Sequence, residues 1–387
     1  MTKPRVMIIA AEASSSHYAL RLLKEWKSQG LDVEAFGVGS KDMENIGFRR
    51  LGKSEEMAIV GAAEIISQLG FLKSVMDQLV EEAVKLHPQV TILMDYPEFN
   101  LLLARKLRAR GLRSVYYISP QIWAWRQGRV ETIKKFCDKV FLLFPFEKHF
   151  YEKHSVPLEF VGHPLLDEMD EKYFDPKYLQ TRRAQYGFTD SDIVLGLMPG
   201  SRRLELKQHF EIQLETARRL IKKFPQIRIV ILCAPTFEKE ELHAYLEDFK
   251  SPYVLLRDDP FSMIHIVDLM LVASGTATLQ VGLLQKPMII MYRMKWLTSV
   301  FASLFVRGAK FFGLVNLILD REVAPEKYQA QANPEVLENE LSKLITDENY
   351  RFRMIKELGE LRFKLGDRGA TRRVAESIRK TYFEGNP

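Results

Sequence analysis

Short apolar runs alternate with helix-period segments along the whole chain. Runs at 5–11, 33–38, 90–94, 114–118, 139–144 and 158–161 are rich in Val, Ile, Leu and Phe and are apolar on both faces. That pattern predicts parallel strands covered by helices on both sides. Helical periodicity fills the intervals at 18–27, 62–85, 99–109, 130–136 and 147–153. Pro164, in Gly162-His163-Pro164, disfavours helix at the residue before it and marks a break. A charged connector, 167–177, leads into a second series of strands at 193–198, 228–232, 253–256, 268–273 and 288–291. From 333 to 383 the pattern is helical. The reading is an α/β protein of two doubly wound Rossmann-like domains, 1–163 and 164–387, the second with a helical tail and a ligand cleft between them. Such sheets bind ligands beyond the carboxyl ends of their strands.

Composition narrows the class. The hydrophobic share is 47% and the charged share 27%, ordinary for a soluble globular protein. Lys plus Arg number 56 against 50 Asp plus Glu, a net charge of +6. That mild excess suits an acidic substrate or an anionic membrane surface. It is too small to indicate nucleic acid, and no basic cluster is interleaved with aromatics. Cys137 and Cys233 form no CxxC pair, so neither a disulfide framework nor a zinc site is implied. A reducing compartment follows. The apolar run 6–11 is shorter than a signal-peptide core and Glu12 follows at once, so it reads as a first strand. No stretch approaches ~20 apolar residues, the length that spans a membrane.

Candidate chemistry gathers at strand ends. Pro199-Gly200-Ser201-Arg202 lies between a buried-looking strand and an amphipathic helix. Main-chain N–H groups and the positive helix end converge there on one spot, which suits an anion. Arg202 adds a fork for phosphate. Ser274-Gly275-Thr276-Ala277-Thr278 repeats the arrangement after the strand at 268–273. Two such turns suggest a diphosphate, as in a sugar nucleotide. Asp95, just past a strand end, is placed either to take a proton from an attacking hydroxyl or to cap the next helix. Glu12 and His17 lie within reach of a ligand at the first strand end, where Ser14, Ser15 and Ser16 read as caps. Trp123 and Trp125, beside Pro120-Gln121, suit a sugar face, an acyl chain or packing under the loop. Apolar segments with basic neighbours at 59–76 and 295–319 fit either a lipid interface or core helices and a dimer contact.

Several blocks together resemble the lipid-A-disaccharide synthase family over nearly the whole chain. They are Asp95-Tyr96-Pro97-Glu98-Phe99-Asn100, Ser119-Pro120-Gln121-Ile122-Trp123-Ala124-Trp125-Arg126, Pro145-Phe146-Glu147, Gly162-His163-Pro164, Pro199-Gly200-Ser201-Arg202, Ser274-Gly275-Thr276-Ala277, Tyr292-Arg293-Met294-Lys295 and Asn316-Leu317. The resemblance implies a GT-B fold and an inverting transfer from UDP-2,3-diacylglucosamine to 2,3-diacylglucosamine 1-phosphate, without metal or cofactor. It implies an enzyme peripheral on the inner face of the cytoplasmic membrane, and a homodimer fits the family. Catalysis would fall to Asp95, with Glu12 and His17 nearby. The donor would meet Gly200, Ser201, Arg202, Ser274, Gly275, Thr276, Ala277, Thr278, Gln280, Arg293 and Asn316. The acceptor would meet Ser14, Ser15, Ser16, Glu98, Asn100, Gln121, Trp123 and Trp125. Three positions depart from the family pattern. Its first loop reads Gly-Glu-Thr/Ala-Ser-Gly-Asp, against Ala11-Glu12-Ala13-Ser14-Ser15-Ser16 here. Ser16 cannot act as a base, and Ser15 lacks glycine's access to positive φ. Gln280 replaces a glutamate, and Glu98 an aspartate. The departures leave two alternatives open: a paralogue with another acceptor, or a silent lipid- or nucleotide-binding protein.

Overall fold

A computed structural model describes residues 3–57, 65–120, 122–123, 126–293 and 311–384. The chain divides into two compact units. The first comprises Met1–Asp167 and Leu365–Pro387, the second Glu168–Lys364. The first unit therefore includes the last part of the tail, which the hydropathy pattern alone grouped with the second half. Trp26 explains the attachment: it is fully buried and donates its indole N–H to the Ala375 carbonyl at 3.1 Å. Arg373 adds a bond to the Val161 carbonyl at 2.9 Å.

Among the described residues the first unit holds seven parallel strands: β1 (Arg5–Ala10), β2 (Glu34–Gly39), β3 (Arg49–Lys53), β4 (Val90–Met94), β5 (Ser114–Tyr117), β6 (Lys139–Leu142) and β7 (Leu158–Phe160). Their order is β3-β2-β1-β4-β5-β6-β7. The central strands are buried along nearly their whole length, which is why they read as unbroken apolar runs. β3, with sequence RRLGK, was not legible in the hydropathy pattern. It lies at the sheet edge, where charged side chains face solvent and protect against further pairing.

Among the described residues the second unit has six parallel strands: β8 (Ile193–Met198), β9 (Ile227–Leu232), β10 (Tyr253–Leu256), β11 (Leu269–Ala273), β12 (Met288–Tyr292) and β13 (Glu326–Tyr328). Their order is β10-β9-β8-β11-β12-β13. The three-residue edge strand β13 is again one that periodicity cannot find. Each sheet has one place where strand order reverses: between β1 and β4, and between β8 and β11. Ligands of doubly wound sheets bind at the carboxyl ends of such a pair.

Candidate active site

β1 and β4 pair in parallel through Ala10 and Met94. The residues that follow, Glu12 and Asp95, therefore leave neighbouring strand ends. Asp95 and Tyr96 both adopt left-handed backbone, at φ 48° and 47°. Non-glycine residues rarely do so, and a tight set of bonds holds them. Asn100 donates from Nδ2 to the carbonyls of Met94 at 3.1 Å and Asp95 at 2.6 Å. Tyr116 donates its hydroxyl to the same Asp95 carbonyl at 2.6 Å. Asn100 is fully buried beneath the turn. Burial raises the Tyr96 phenol above its ordinary range, and the charges of Glu12 and Glu98 add to the shift.

The serines have separate fates. Ser15 is buried and bridges both main-chain groups of Glu12, accepting from its N–H at 3.1 Å and donating to its carbonyl at 2.9 Å. Ser16, also buried, donates to the Ala10 carbonyl at 2.8 Å. Both lie in the first turn of the helix Ala13–Ser28, so Ser15 needs no positive φ. Ser14 and His17 are exposed, and His17 sits edge-on to Tyr18 at 5.9 Å.

Glu98 accepts from Arg126 at 3.0 Å and from Arg129, tying the helix Pro97–Arg108 to the loop that follows β5. Gln121 and Trp125 lie outside the described residues. Trp123 packs edge-on against Phe146 at 4.9 Å, and Phe146 stacks on Phe144 at 5.2 Å. Beneath them Glu147 is only 2% exposed and accepts from the Phe144 N–H at 3.2 Å. Burial pushes its carboxyl up to about 8, against the Phe144 and Leu143 N–H groups and the Trp123 side chain, which favour the charged form. His163, tilted against Phe144, is pushed down to about 3 by burial.

In the second unit, β8 and β11 pair through Met198 and Val272. The turns at 199–202 and 274–278 thus leave adjacent strand ends, and β12 continues the row with Ala273 beside Met291. Gly200 has φ 122°, a backbone that favours glycine. Thr278 donates to the Gly275 carbonyl at 2.8 Å and closes the second turn. Ser274, Thr276, Ala277 and Gln280 are part-exposed along that turn and the helix Thr276–Leu283. Arg293 is exposed just past β12.

Asn316 is fully buried, and all its hydrogen-bonding positions are used within the protein. Nδ2 donates to Ala324 O at 2.7 Å and Glu326 Oε1 at 2.8 Å, while Oδ1 accepts from Val323 at 2.8 Å and Ala324 at 3.0 Å. It acts as a clamp on the strand leading into β13. The helix Leu314–Leu319 is buried too, so that part of the apolar stretch 295–319 is core, whereas Phe312 just before it is exposed. Residues 295–310 lie outside the described residues, as do 59–64 of the other apolar stretch.

Two residues that hold these turns in place are not indicated by the sequence reading. His209 is fully buried on the helix Arg203–Lys223. Its Nε2 accepts from the Arg293 N–H at 3.0 Å, so Nδ1–H donates to the Pro199 carbonyl at 2.9 Å. Gln213, one turn on, donates to the Met198 and Leu271 carbonyls at 3.1 and 3.2 Å. The available signal was a pair of polar residues four apart on the apolar face of an amphipathic helix. No group of three or more His, Cys, Asp or Glu that could hold a metal occurs among the described residues.

The family model described as Lipid-A-disaccharide synthetase matches residues 6–382. The lipid-A-disaccharide synthase of Myxococcus xanthus is 33% identical over 375 residues, 97% of each chain. That of Nitrosococcus oceani is 35% identical over 373 residues, 96% of this chain and 95% of the relative. Among solved structures, a putative UDP-N-acetylglucosamine 2-epimerase from Listeria monocytogenes superposes with a TM-score of 0.67 at 12% identity, covering 100% of this chain and 98% of its own. A UDP co-structure of S. aureus MnaA gives 0.63 at 13% identity, covering 100% and 99%. These neighbours share the fold, two Rossmann-like units of the GT-B class.

Proposed function

The chain belongs to the lipid-A-disaccharide synthase family, and from that premise we propose that it transfers a 2,3-diacylglucosamine unit from UDP to O6 of 2,3-diacylglucosamine 1-phosphate. The O6–C1 bond forms as the bond from C1 to the β-phosphate oxygen breaks, with inversion to a β-1,6 disaccharide. The bond's electron pair leaves on UDP. The hydroxyl proton passes to Asp95, with Glu12 on the neighbouring strand end. The first unit takes the acceptor and the second the donor.

One observation carries this reading. The proposed base and the proposed phosphate turns each lie at the reversal point of their own sheet, beyond Met94 in one and beyond Met198 and Ala273 in the other. Arg202 and the N–H groups of the turns are the fixed positive groups in the second unit on which the departing diphosphate gains its charge. Asn100, Ser15, Ser16 and Asn316 shape the turns instead of touching substrate. Peripheral attachment is supported by Leu69, Phe71 and Leu102, all exposed on two packed helices, with exposed Lys73 and Arg105 beside them. No helix among the described residues is long and apolar enough to cross a membrane.

The test is direct. Protein in mild detergent is mixed with UDP-2,3-diacylglucosamine and 2,3-diacylglucosamine 1-phosphate, and UDP and disaccharide are followed by mass spectrometry. Disaccharide formation that disappears with Asp95→Ala is the expected result. Absence of product from a protein that still binds UDP would overturn the acceptor assignment and favour a paralogue with another acceptor.

A further inference from the structure

The first phosphate-type turn is engaged by a carboxylate of the chain itself. Glu205 Oε2 accepts from the main-chain N–H of Ser201 at 2.9 Å and of Arg202 at 3.3 Å. Its Oε1 lies 3.9 Å from Arg202 Nη1. Two N–H groups and a guanidinium, the groups a diphosphate would need here, therefore all face one glutamate. The Glu205 side chain is only 14% exposed. A Cβ on Gly200 would fall 2.5 Å from Oε2, so the turn is moulded around the carboxylate. Thr236 fixes the turn by donating to the Ser201 carbonyl at 2.7 Å.

A glutamate at the third position of a helix is a common cap. Here the cap and the proposed ligand need the same donors. A carboxylate and a phosphate group at one spot repel. We propose that Glu205 is an internal stand-in for the donor diphosphate, which must swing off the turn for nucleotide to bind, so that its charge sets nucleotide affinity. The inference rests on the donor reading above and adds a specificity-determining residue to it. The capped turn keeps its shape through Glu205, and phosphate takes over the same bonds.

The experiment is calorimetric titration of UDP into the wild-type protein and Glu205→Gln, with uridine as the phosphate-free control. Glutamine keeps the shape and one acceptor oxygen but lacks the charge. UDP is expected to bind the variant roughly threefold to tenfold more tightly, the scale of a partly exposed charge contact. Uridine affinity stays equal. Tightening on removal of a group is not what local damage produces. Equal or weaker UDP affinity in Glu205→Gln, or an equal gain for uridine, overturns the inference and leaves the donor reading standing. Failure of both proteins to bind UDP overturns the donor reading and the inference with it.

Discussion

Asn100 Nδ2 donates to the Asp95 carbonyl at 2.6 Å, so the residue proposed to take the acceptor proton is held by its main chain from beneath. Left-handed backbone at Asp95 and Tyr96 costs about 1–3 kcal/mol for each residue. The Asn100 and Tyr116 bonds offset that cost. Asn100→Ala is expected to destabilise the first unit by about 1–3 kcal/mol. Turnover should fall while UDP affinity is retained. Urea denaturation and UDP titration of the same variant check both. An unchanged unfolding midpoint would show that the turn holds without the asparagine.

Asp95→Asn isolates the chemistry from the geometry. Asparagine tolerates left-handed backbone as aspartate does, but cannot accept the proton. The expected outcome is a drop in kcat of roughly 10²–10⁴-fold, the usual worth of general-base catalysis. UDP affinity and melting temperature should match the wild type. Loss of UDP binding would contradict the assignment of base and nucleotide to different units.

Where the candidate residues fall was legible because doubly wound sheets gather ligand-facing residues at strand ends. The runs at 90–94 and 193–198 could be read directly, and Asp95 and Arg202 fall just beyond them. Polarity alone could not say which polar residues turn inward. Ser15, Ser16, Asn100 and Asn316 read as substrate contacts, yet the first three bond to main chain under the turns, and Asn316 bonds to the main chain of Val323 and Ala324 and to the Glu326 carboxylate. Each is short enough to satisfy a nearby backbone group, which is the same property that makes it a plausible ligand contact. His209 is hard to read for the opposite reason: a histidine on an apolar helix face, even with Gln213 four residues on, resembles core. Edge strands β3 and β13 are charged, RRLGK and EKY, whereas the other two edges, β7 and β10, keep apolar residues, so hydropathy finds only the latter pair.

The buried pair Glu147 and His163, both against Phe144, makes stability depend on pH in opposite senses. Glu147 rises from 4.5 to about 8 on folding. Between those values the folded state holds a proton that the unfolded chain has released, so its contribution falls as pH rises. His163 drops from 6.5 to about 3. Its contribution falls as pH drops through that window, where the unfolded chain is the one that binds the proton. Glu147→Gln removes the first effect and leaves the second. Its stability relative to wild type is expected to improve from pH 5 to pH 8, by up to about 1.4 kcal/mol per unit. Urea denaturation of both proteins at the two pH values measures this, and a constant difference would refute the buried-carboxyl account.

His209 joins the ends of two strands: Nδ1–H donates to the Pro199 carbonyl and Nε2 accepts from the Arg293 N–H. Phenylalanine would keep the ring volume and leave both main-chain groups unpaired. His209→Phe is expected to lose about 1–3 kcal/mol of stability. A merely structural role would end there. A positioning role predicts more: the turn beginning at Pro199 loses its fixed place beside Arg293, so UDP affinity falls and the donor KM rises more than kcat declines. His209→Asn can restore the bond to Pro199, because its amide N–H sits where Nδ1–H does, and should recover part of the KM. If His209→Phe is destabilised but binds UDP as tightly as wild type, the two turns keep their places without the histidine, and its role is confined to packing.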